Sequence, residues 1–161
     1  MKKIVVLFSL VIGVAAWVFA AEPAASPAAT TEHKVMKPAD LKWADAPPGL
    51  PAGGKMAVLN GDPGQAGAFT VRLKAPASYK VMPHTHPTAE RVTVISGTFK
   101  VGMGEKFDEK SMQAMSAGSY IVMPANMAHF AKGGGVIQID SEGPFQINYL
   151  NPTDDPRNAK K

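Results

Sequence analysis

Residues 82–90 read MPHTHPTAE and carry the strongest chemical signal in the chain. The two prolines of this segment disfavour helical geometry in the residues before them, so we expect an extended segment. In an extended segment His84 and His86 point to the same side. Glu90 opens the next predicted strand and can add a carboxylate after the chain turns. Two imidazoles and one carboxylate on a single wall form half of a coordination shell for a divalent transition metal.

A second region, residues 118–129, reads GSYIVMPANMAH. Its pattern predicts a strand, then a turn marked by proline, then a histidine that starts another strand. If the sheets close on each other, we expect His129 to come from the wall opposite His84 and His86. The two regions would then supply three imidazoles and one carboxylate to a common site.

The segment between residues 41 and 150 is predicted to form short strands and no long helix. Phe69 to Leu73 alternates apolar and polar residues, which is the pattern of a half-buried strand. Ser96-Gly97 is predicted to form a tight hairpin turn, and residues 133–135 to separate two strands. Many short strands with turns between them predict an all-β sandwich or small barrel. The predicted strands cover residues 57–59, 69–73, 91–95, 98–103, 120–123, 136–139 and 145–150.

Composition restricts the protein to a few classes. The chain has 161 residues, which allows one ordinary domain, and 45% of them are apolar, which is enough for a packed core. The absence of cysteine excludes disulfides, thiolate metal sites and a cysteine nucleophile. The net charge of +4 is too small and too scattered to predict nucleic-acid binding.

The two ends of the chain are predicted to lie outside the fold. Residues 1–20 have a short basic start followed by an apolar run, which predicts a secretory signal peptide and therefore a periplasmic or secreted protein. The alternative is an uncleaved membrane anchor; after cleavage we expect no membrane association. Residues 21–45 are predicted to be a flexible linker rich in alanine and proline, and residues 157–161 a polar tail.

The first histidine region resembles the first motif of the cupin superfamily. His84, His86, Glu90 and Gly97 stand at the spacings of that motif, while Ser78 stands where the family has its leading glycine.

The second region resembles the second cupin motif. Gly118, Pro124 and His129 match it, whereas Asn126 replaces a glycine and Gly133 replaces an asparagine. Neither change removes a ligand that the resemblance implies. Because asparagine tolerates left-handed backbone conformations, we expect the turn to be kept.

The resemblance covers residues 46–156 and is greatest to small single-domain bacterial cupins. It implies a jelly-roll β-barrel of six to eight strands that binds one divalent transition metal (Fe, Mn, Cu, Ni or Zn). It also makes a homodimer through an edge strand a reasonable expectation. The ligands that it implies are His84, His86, Glu90 and His129.

Two functions remain open from the sequence. The first is a metal-dependent enzyme of the oxygenase or oxidase type acting on a small oxygenated substrate, with an isomerase or lyase as its near relative. The second is a non-catalytic cupin that binds or senses a metal or a small ligand. A pocket of a few hundred Å³ that opens onto the metal would favour the enzyme, and a collapsed barrel the binding module.

Other residues near the motifs have two interpretations. Four side chains are candidates for orienting a ligand, although ordinary packing or solvent exposure explains each of them singly. These four are Arg72, Gln146, Asn148 and Tyr149. Methionines near the motifs, Met82, Met103, Met123 and Met127, are predicted to fill the core or line a pocket, with thioether ligation of copper as the alternative. Residues 107–115 carry mixed charges and are predicted to form a solvated loop.

Overall fold

A computed structural model of the chain describes residues 33–159. The predicted signal peptide, residues 1–20, and residues 21–32 of the predicted linker therefore lie outside the described residues. Within the described residues, positions 35–159 belong to one compact unit. Across the part of the chain that the structure describes, there is no helix long and apolar enough to span a membrane.

The described chain is built from eight antiparallel strands and four single-turn 3-10 helices, which confirms the all-β expectation. The strands are β1 (Ala44–Asp45), β2 (Lys55–Asn60), β3 (Gly67–Thr85), β4 (Glu90–Met103), β5 (Gln113–Ser116), β6 (Tyr120–Met123), β7 (His129–Gly143) and β8 (Asn148–Tyr149). The 3-10 helices are Pro38–Asp40, Glu109–Ser111, Pro152–Asp154 and Pro156–Asn158. The last two residues of the predicted linker form β1, which pairs with β2.

Three long strands, β3, β4 and β7, bend at one common level. There β3 exchanges β2 for β8 and β4 exchanges β6 for β5, whereas β7 keeps β3 and β4 as its neighbours. The register shifts between Ala75 and Tyr79 in β3 and between Val94 and Ser96 in β4. Gly97 has a φ of 79° and is the register partner of Gly135, whose φ is 129°. The predicted hairpin at Ser96-Gly97 and the predicted strand break at residues 133–135 are therefore wrong. Both are bends inside continuous strands.

The bends divide the sheet into two halves that face each other. The first half-sheet contains β1, β2, β6, the first parts of β3 and β4, and the second part of β7. The second half-sheet contains β5, β8, the second parts of β3 and β4, and the first part of β7. The result is a two-layered jelly roll closed at one end by the bends.

The core lies between the half-sheets. In the first half-sheet, Val71 and Val92 are both register partners of Ile139, so all three side chains share one face. In the second half-sheet, Val81 and Val101 meet Ala131 in the same way. All these residues belong to one hydrophobic cluster or pack against it. Alternation along the strands thus produces the interior of the barrel.

The segment that connects β4 to β5, residues 104–112, packs on the outer face of the second half-sheet. The Phe107 ring lies 5.0 Å from the ring of Phe130, which is fully buried. The ammonium group of Lys80 lies 3.8 Å from the centroid of Phe107. The prediction of a solvated loop over residues 107–115 is wrong in part, because β5 begins at residue 113 and Met115 is buried in the core.

The chain after β7 closes over the other end of the barrel. The predicted strand at residues 145–150 is reduced to β8, which pairs with the last two residues of β3. Tyr149 Oη donates a hydrogen bond to the carbonyl of Gly49 at 2.9 Å. Tyr79 Oη donates one to the carbonyl of Pro51, also at 2.9 Å. These two bonds hold the segment before β2 against the barrel.

Candidate metal centre

Four buried side chains converge at the end of the barrel opposite the bends. His84 lies near the end of β3, His86 in the following turn, Glu90 at the start of β4 and His129 at the start of β7. Each is at most 7% exposed. One ligand atom from each of the three histidines lies within 4.8 Å of the others, a spacing that can hold a metal ion. The structure therefore brings together all four residues that the cupin resemblance implies as ligands.

The two half-sheets contribute to the cluster differently from the expectation. His84 and His129 are register partners on neighbouring strands, so they lie on one wall. Glu90 pairs with Met123 of β6 and belongs to the first half-sheet, across the barrel. The prediction that His129 faces His84, His86 and Glu90 from the opposite wall is therefore wrong. The reason is the long-range pairing of β3 with β7, which the local sequence does not reveal.

Backbone carbonyls fix the orientation of all three imidazoles. His84 Nδ1 lies 2.7 Å from the carbonyl of Met82, and His129 Nδ1 lies 3.0 Å from that of Met127. His86 Nδ1 lies 2.6 Å from the carbonyl of Gln146. Because a carbonyl only accepts hydrogen bonds, each Nδ1 carries the proton and donates it. Each Nε2 is thereby directed into the site, which is the arrangement that histidine ligands of metals require.

The Glu90 carboxylate lies beside two of these nitrogens. Its Oε2 is 3.2 Å from His129 Nε2 and 3.5 Å from His86 Nε2. Burial raises the pKa of Glu90, but the hydrogen bond from His129 and the nearby imidazoles outweigh it, so that the pKa is lowered. Glu90 is therefore an ionised carboxylate at neutral pH.

The three imidazoles differ in protonation. Burial, helped by the neighbouring imidazoles, lowers the pKa of His84 to about 3, and burial also lowers the pKa of His86. For His129, burial acts downward, but the hydrogen bond to Glu90 outweighs it and the pKa is raised. His84 and His86 are thus neutral, as ligands must be, whereas His129 shares a proton with Glu90 that a metal would displace.

The donor set fits a divalent transition metal. Within residues 33–159, His86 Nε2 is the one buried side-chain nitrogen or oxygen without a hydrogen-bond partner. A buried acceptor without a donor is costly, and a metal ion at this point would satisfy it. Imidazole and carboxylate are the ligands that suit Fe, Mn, Cu, Ni and Zn. The protein can therefore hold a metal here, and nothing in the donor set identifies which metal.

Residues around the cluster that the sequence did not indicate hold its turns in place. Ser141 is 3% exposed, and its hydroxyl donates to the carbonyl of Ala89 at 2.8 Å. The hydroxyls of Thr88 and Ser141 lie 3.1 Å apart. The ring of Phe145 stacks on His86 with 4.4 Å between centroids. No local spacing could have found these contacts, because each joins residues more than fifty positions apart.

Asn126 occupies the turn where the cupin motif has glycine. Its φ is 61°, in the left-handed region, as expected for an asparagine that replaces a turn glycine. Its backbone N–H donates to the carbonyl of His86 at 2.8 Å. The turn before His129 is thus joined directly to the turn that carries His86.

A cavity of about 330 Å³ extends from the cluster into the barrel. His84, His86, Glu90 and His129 all line it, and the remaining lining residues come from both half-sheets and from the segments around residues 47–50, 63–64 and 145–147. The barrel is therefore not collapsed, and its interior is continuous with the candidate metal centre.

The four candidates for orienting a ligand do not line this cavity. Arg72 lies next to Gln138 with 3.4 Å between its guanidinium nitrogens and the amide oxygen, on the outer face of the sheet. The side chains of Gln146 and Asn148 are exposed, and Tyr149 is engaged by Gly49. Of the four methionines near the motifs, Met123 is buried and lines the cavity, whereas Met103 and Met127 are more than 40% exposed.

The fold is shared with several solved structures at low sequence identity. The polyketide cyclase RemF from Streptomyces resistomycificus aligns with a TM-score of 0.61 and 16% identity, over 78% of this chain and 91% of its own. An RmlC-like cupin from Ralstonia eutropha aligns with a TM-score of 0.57 and 18% identity, over 77% and 76%. KdgF from Halomonas sp. aligns with a TM-score of 0.52 and 21% identity, over 68% and 94%.

The protein has the jelly-roll fold of cupins, with three histidines clustered at one end of the barrel, as the sequence resemblance implied. A family model described as "Domain of unknown function (DUF4437)" matches residues 19–148. The chain belongs to this family. A search of curated proteins finds no match.

Proposed function

We propose that this protein is an exported, metal-dependent enzyme of the oxygenase or oxidase type. In this proposal one divalent transition metal is held by His84, His86, Glu90 and His129. The substrate is a small oxygenated molecule that enters the cavity beside the metal. Export rests on the signal-like residues 1–20.

One observation carries the proposal: backbone carbonyls hold three imidazoles whose ligand atoms lie within 4.8 Å of one another, and the Nε2 atoms of His86 and His129 lie 3.5 and 3.2 Å from the Glu90 carboxylate. A structural histidine needs no such convergence, and three buried imidazoles around one carboxylate are costly without a cation to bind. The ligand side chains are therefore already oriented for metal binding in the folded chain. Preformed ligands on paired strands reduce the reorganisation that metal binding requires.

The chemistry is divided between the metal and the chain. When bound, the metal would act as a Lewis acid, or as a redox centre if it is Fe, Mn or Cu. A divalent ion beside one glutamate leaves a local charge of about +1, which favours anionic or enolisable oxygen ligands. The chain holds the ion, excludes water with an apolar wall and positions the substrate beside it. Within the described residues, Glu90 is the only carboxylate that lines the cavity.

The cavity supports an enzyme over a purely structural barrel. A volume of about 330 Å³ next to the cluster lies within the range of small-molecule sites. A non-catalytic cupin that binds or senses a small ligand would use the same cavity. Measuring turnover distinguishes this alternative from an enzyme. An enzyme consumes dioxygen together with a substrate, whereas a sensor binds its ligand unchanged.

The first test is the metal content of untagged protein purified from its own compartment, measured by plasma mass spectrometry. We expect about one equivalent per chain, and a redox metal would be followed by dioxygen-uptake assays over a panel of β-diketones, enols and catechols. Zinc would direct the assays to isomerase or lyase chemistry. No metal, with none taken up on reconstitution, would refute the ligand assignment.

Histidine variants give the matched control. His84→Ala and His86→Ala should each lower the metal content to below a tenth of an equivalent at the same free metal concentration. His33→Ala removes an exposed histidine that we predict to be in the linker, and it should leave the metal content unchanged. Equal metal loss in all three variants would indicate adventitious binding to histidine and would contradict the proposal.

A further inference from the structure

The chemistry of the cavity wall limits which molecules can occupy it. We propose that the ligand is a small apolar molecule whose polar atoms are confined to one end, such as an aryl or alkyl β-diketone, enol or catechol. This inference rests on the proposed function, because the metal centre receives the polar end. Sugars, phosphate esters and molecules with a second charged group are rejected.

The lining is divided sharply into one polar end and an apolar remainder. Apart from the three histidines and Glu90, every lining residue is an aliphatic or aromatic residue, a methionine, a proline or a glycine. Phe69, Val94 and Phe99 are representative, and each is at most 4% exposed. The lining has no lysine, arginine or amide side chain that could pair with a second polar group on the ligand.

The hydroxyl groups that lie near the barrel interior are turned to other partners. Tyr79 and Tyr149 donate to the carbonyls of Pro51 and Gly49. Ser141 donates to the carbonyl of Ala89. These hydroxyls are used in holding the fold together, and none of the three residues lines the cavity.

The cost of desolvation makes the apolar lining of the cavity select against polar ligands. A ligand hydroxyl or charge that enters the apolar part gives up its water and gains no partner, which costs roughly a factor of 10 to 100 in affinity for each hydroxyl. An aromatic or alkyl body gains affinity from the same surface, because its apolar area leaves water.

The volume of the cavity limits the size of the ligand. About 330 Å³ is the space that roughly eleven water molecules take up in the liquid. This space accommodates a ring with a chelating group.

The test uses two ligands with the same chelating head on the zinc-loaded protein. Benzohydroxamate has a neutral ring, and 4-carboxybenzohydroxamate adds one charge at the far end. Each Kd from isothermal titration calorimetry is divided by the Kd of the same ligand for zinc in water. We expect this corrected affinity to be at least 30-fold higher for benzohydroxamate. Equal affinities, or tighter binding of the carboxylated ligand, would overturn the inference.

A pair of variants locates the effect within the cavity. Val94→Phe fills a position that lines the cavity, whereas Val122→Phe adds the same ring on the outer face, where Val122 is 45% exposed. The first should weaken benzohydroxamate at least 10-fold and leave the smaller acetohydroxamate within 3-fold. The second should change neither. Loss of both ligands in a folded Val94→Phe protein would contradict binding of the ring in the cavity.

The failure of the proposed function is distinguishable from the failure of this inference. If the protein takes up no zinc, the metal assignment fails, and the wall is then tested on metal-free protein with toluene and benzoate by ligand-observed NMR. Binding of toluene without benzoate would support an apolar ligand. Binding of benzoate alone, or of neither probe, would overturn it.

Discussion

The two ends of the barrel bring the same three strands together in different ways. At the bend end β3, β4 and β7 approach through their backbones, because Gly97 and Gly135 have no side chains to keep them apart. At the metal end the same strands meet through polar side chains. These are His84 of β3, Glu90 of β4 and His129 of β7. One end therefore depends on the absence of side chains and the other on their chemistry.

Because the two ends differ in this way, the residues that control folding are separate from those that control ligand binding. A side chain added at the bend end would push strands apart and should prevent the two half-sheets from facing each other. A side chain changed at the metal end removes a polar group from a barrel whose strands are already paired. We therefore expect the bend end to control stability and the metal end to control ligand binding.

The largest effect is expected at the bend end, from Gly97→Ala. A Cβ at Gly97 would lie 2.2 Å from the carbonyl oxygen of Gly134, and the φ of 79° adds strain. We expect a loss of at least about 4 kcal/mol in the free energy of unfolding, because both effects act on backbone that cannot move aside. Urea denaturation followed by circular dichroism measures this loss.

Gly118→Ala is the matched control for that experiment. Gly118 has a φ of 88°, but a Cβ there meets nothing within 4 Å. The control keeps the strain and removes the collision, so we expect a loss of about 1–2 kcal/mol. If the two variants lose the same amount, close approach of the strands is not what Gly97 provides.

The next effect is expected at the metal end, from Glu90→Gln. This change keeps the shape of the side chain and removes the one negative charge of the cluster. We expect metal affinity, measured by competition with a chelator, to fall by at least about 100-fold, because the attraction between a carboxylate and a nearby dication is lost. Glu109→Gln removes an exposed carboxylate that pairs with Lys132, and it should leave the affinity unchanged. An unchanged affinity in Glu90→Gln would remove Glu90 from the ligand set.

The sequence predicts the metal end better than the bend end for a physical reason. His84 and His86 are two positions apart, so their common direction follows from extended geometry alone. Glycine, in contrast, serves both hairpin turns and close strand approach, and only the partner strand distinguishes the two. The sequence pattern therefore predicts turns at Gly97 and at Gly133 to Gly135, whereas these residues form bends that meet across strands. The wall on which His129 lies was missed for the same reason, since its partner is His84 in a strand 45 positions away.

Acid should destabilise the metal-free protein through the metal end. The folded-state pKa of His84 is about 3, below the ordinary value of 6.5, and that of His86 is also lowered. A lowered histidine pKa means that the unfolded chain binds more protons, so stability falls as the pH drops below about 6.5. His129, whose pKa is raised, acts in the opposite direction above that pH. We expect His84 alone to contribute a loss of about 2–3 kcal/mol between pH 6.5 and 4.5. Urea midpoints at these two pH values measure it.

His84→Gln is the variant that checks this assignment. It removes the titrating group while keeping a polar side chain, so the difference in stability between pH 6.5 and 4.5 should shrink. The same pH dependence in the variant and the wild type would place the titration elsewhere in the chain. Metal saturation should raise the stability at pH 6.5 and make it fall more steeply toward pH 4.5, because the ion displaces the proton on His129 and acid in turn displaces the ion.

The smallest effect is expected from Ser141→Ala, next to the metal end. The Ser141 hydroxyl donates to the carbonyl of Ala89, which directly precedes Glu90, and the side chain is almost fully buried. Its loss leaves a buried carbonyl without that donor, so we expect about 1 kcal/mol of destabilisation in urea. Ser116→Ala on the exposed side of β5 should change stability by less than half of this. Because Ser141 holds the turn that carries Glu90, Ser141→Ala should also weaken metal binding about 3- to 10-fold, and Ser116→Ala should not. A metal affinity that stays the same in Ser141→Ala would show that Glu90 is positioned by β4 alone.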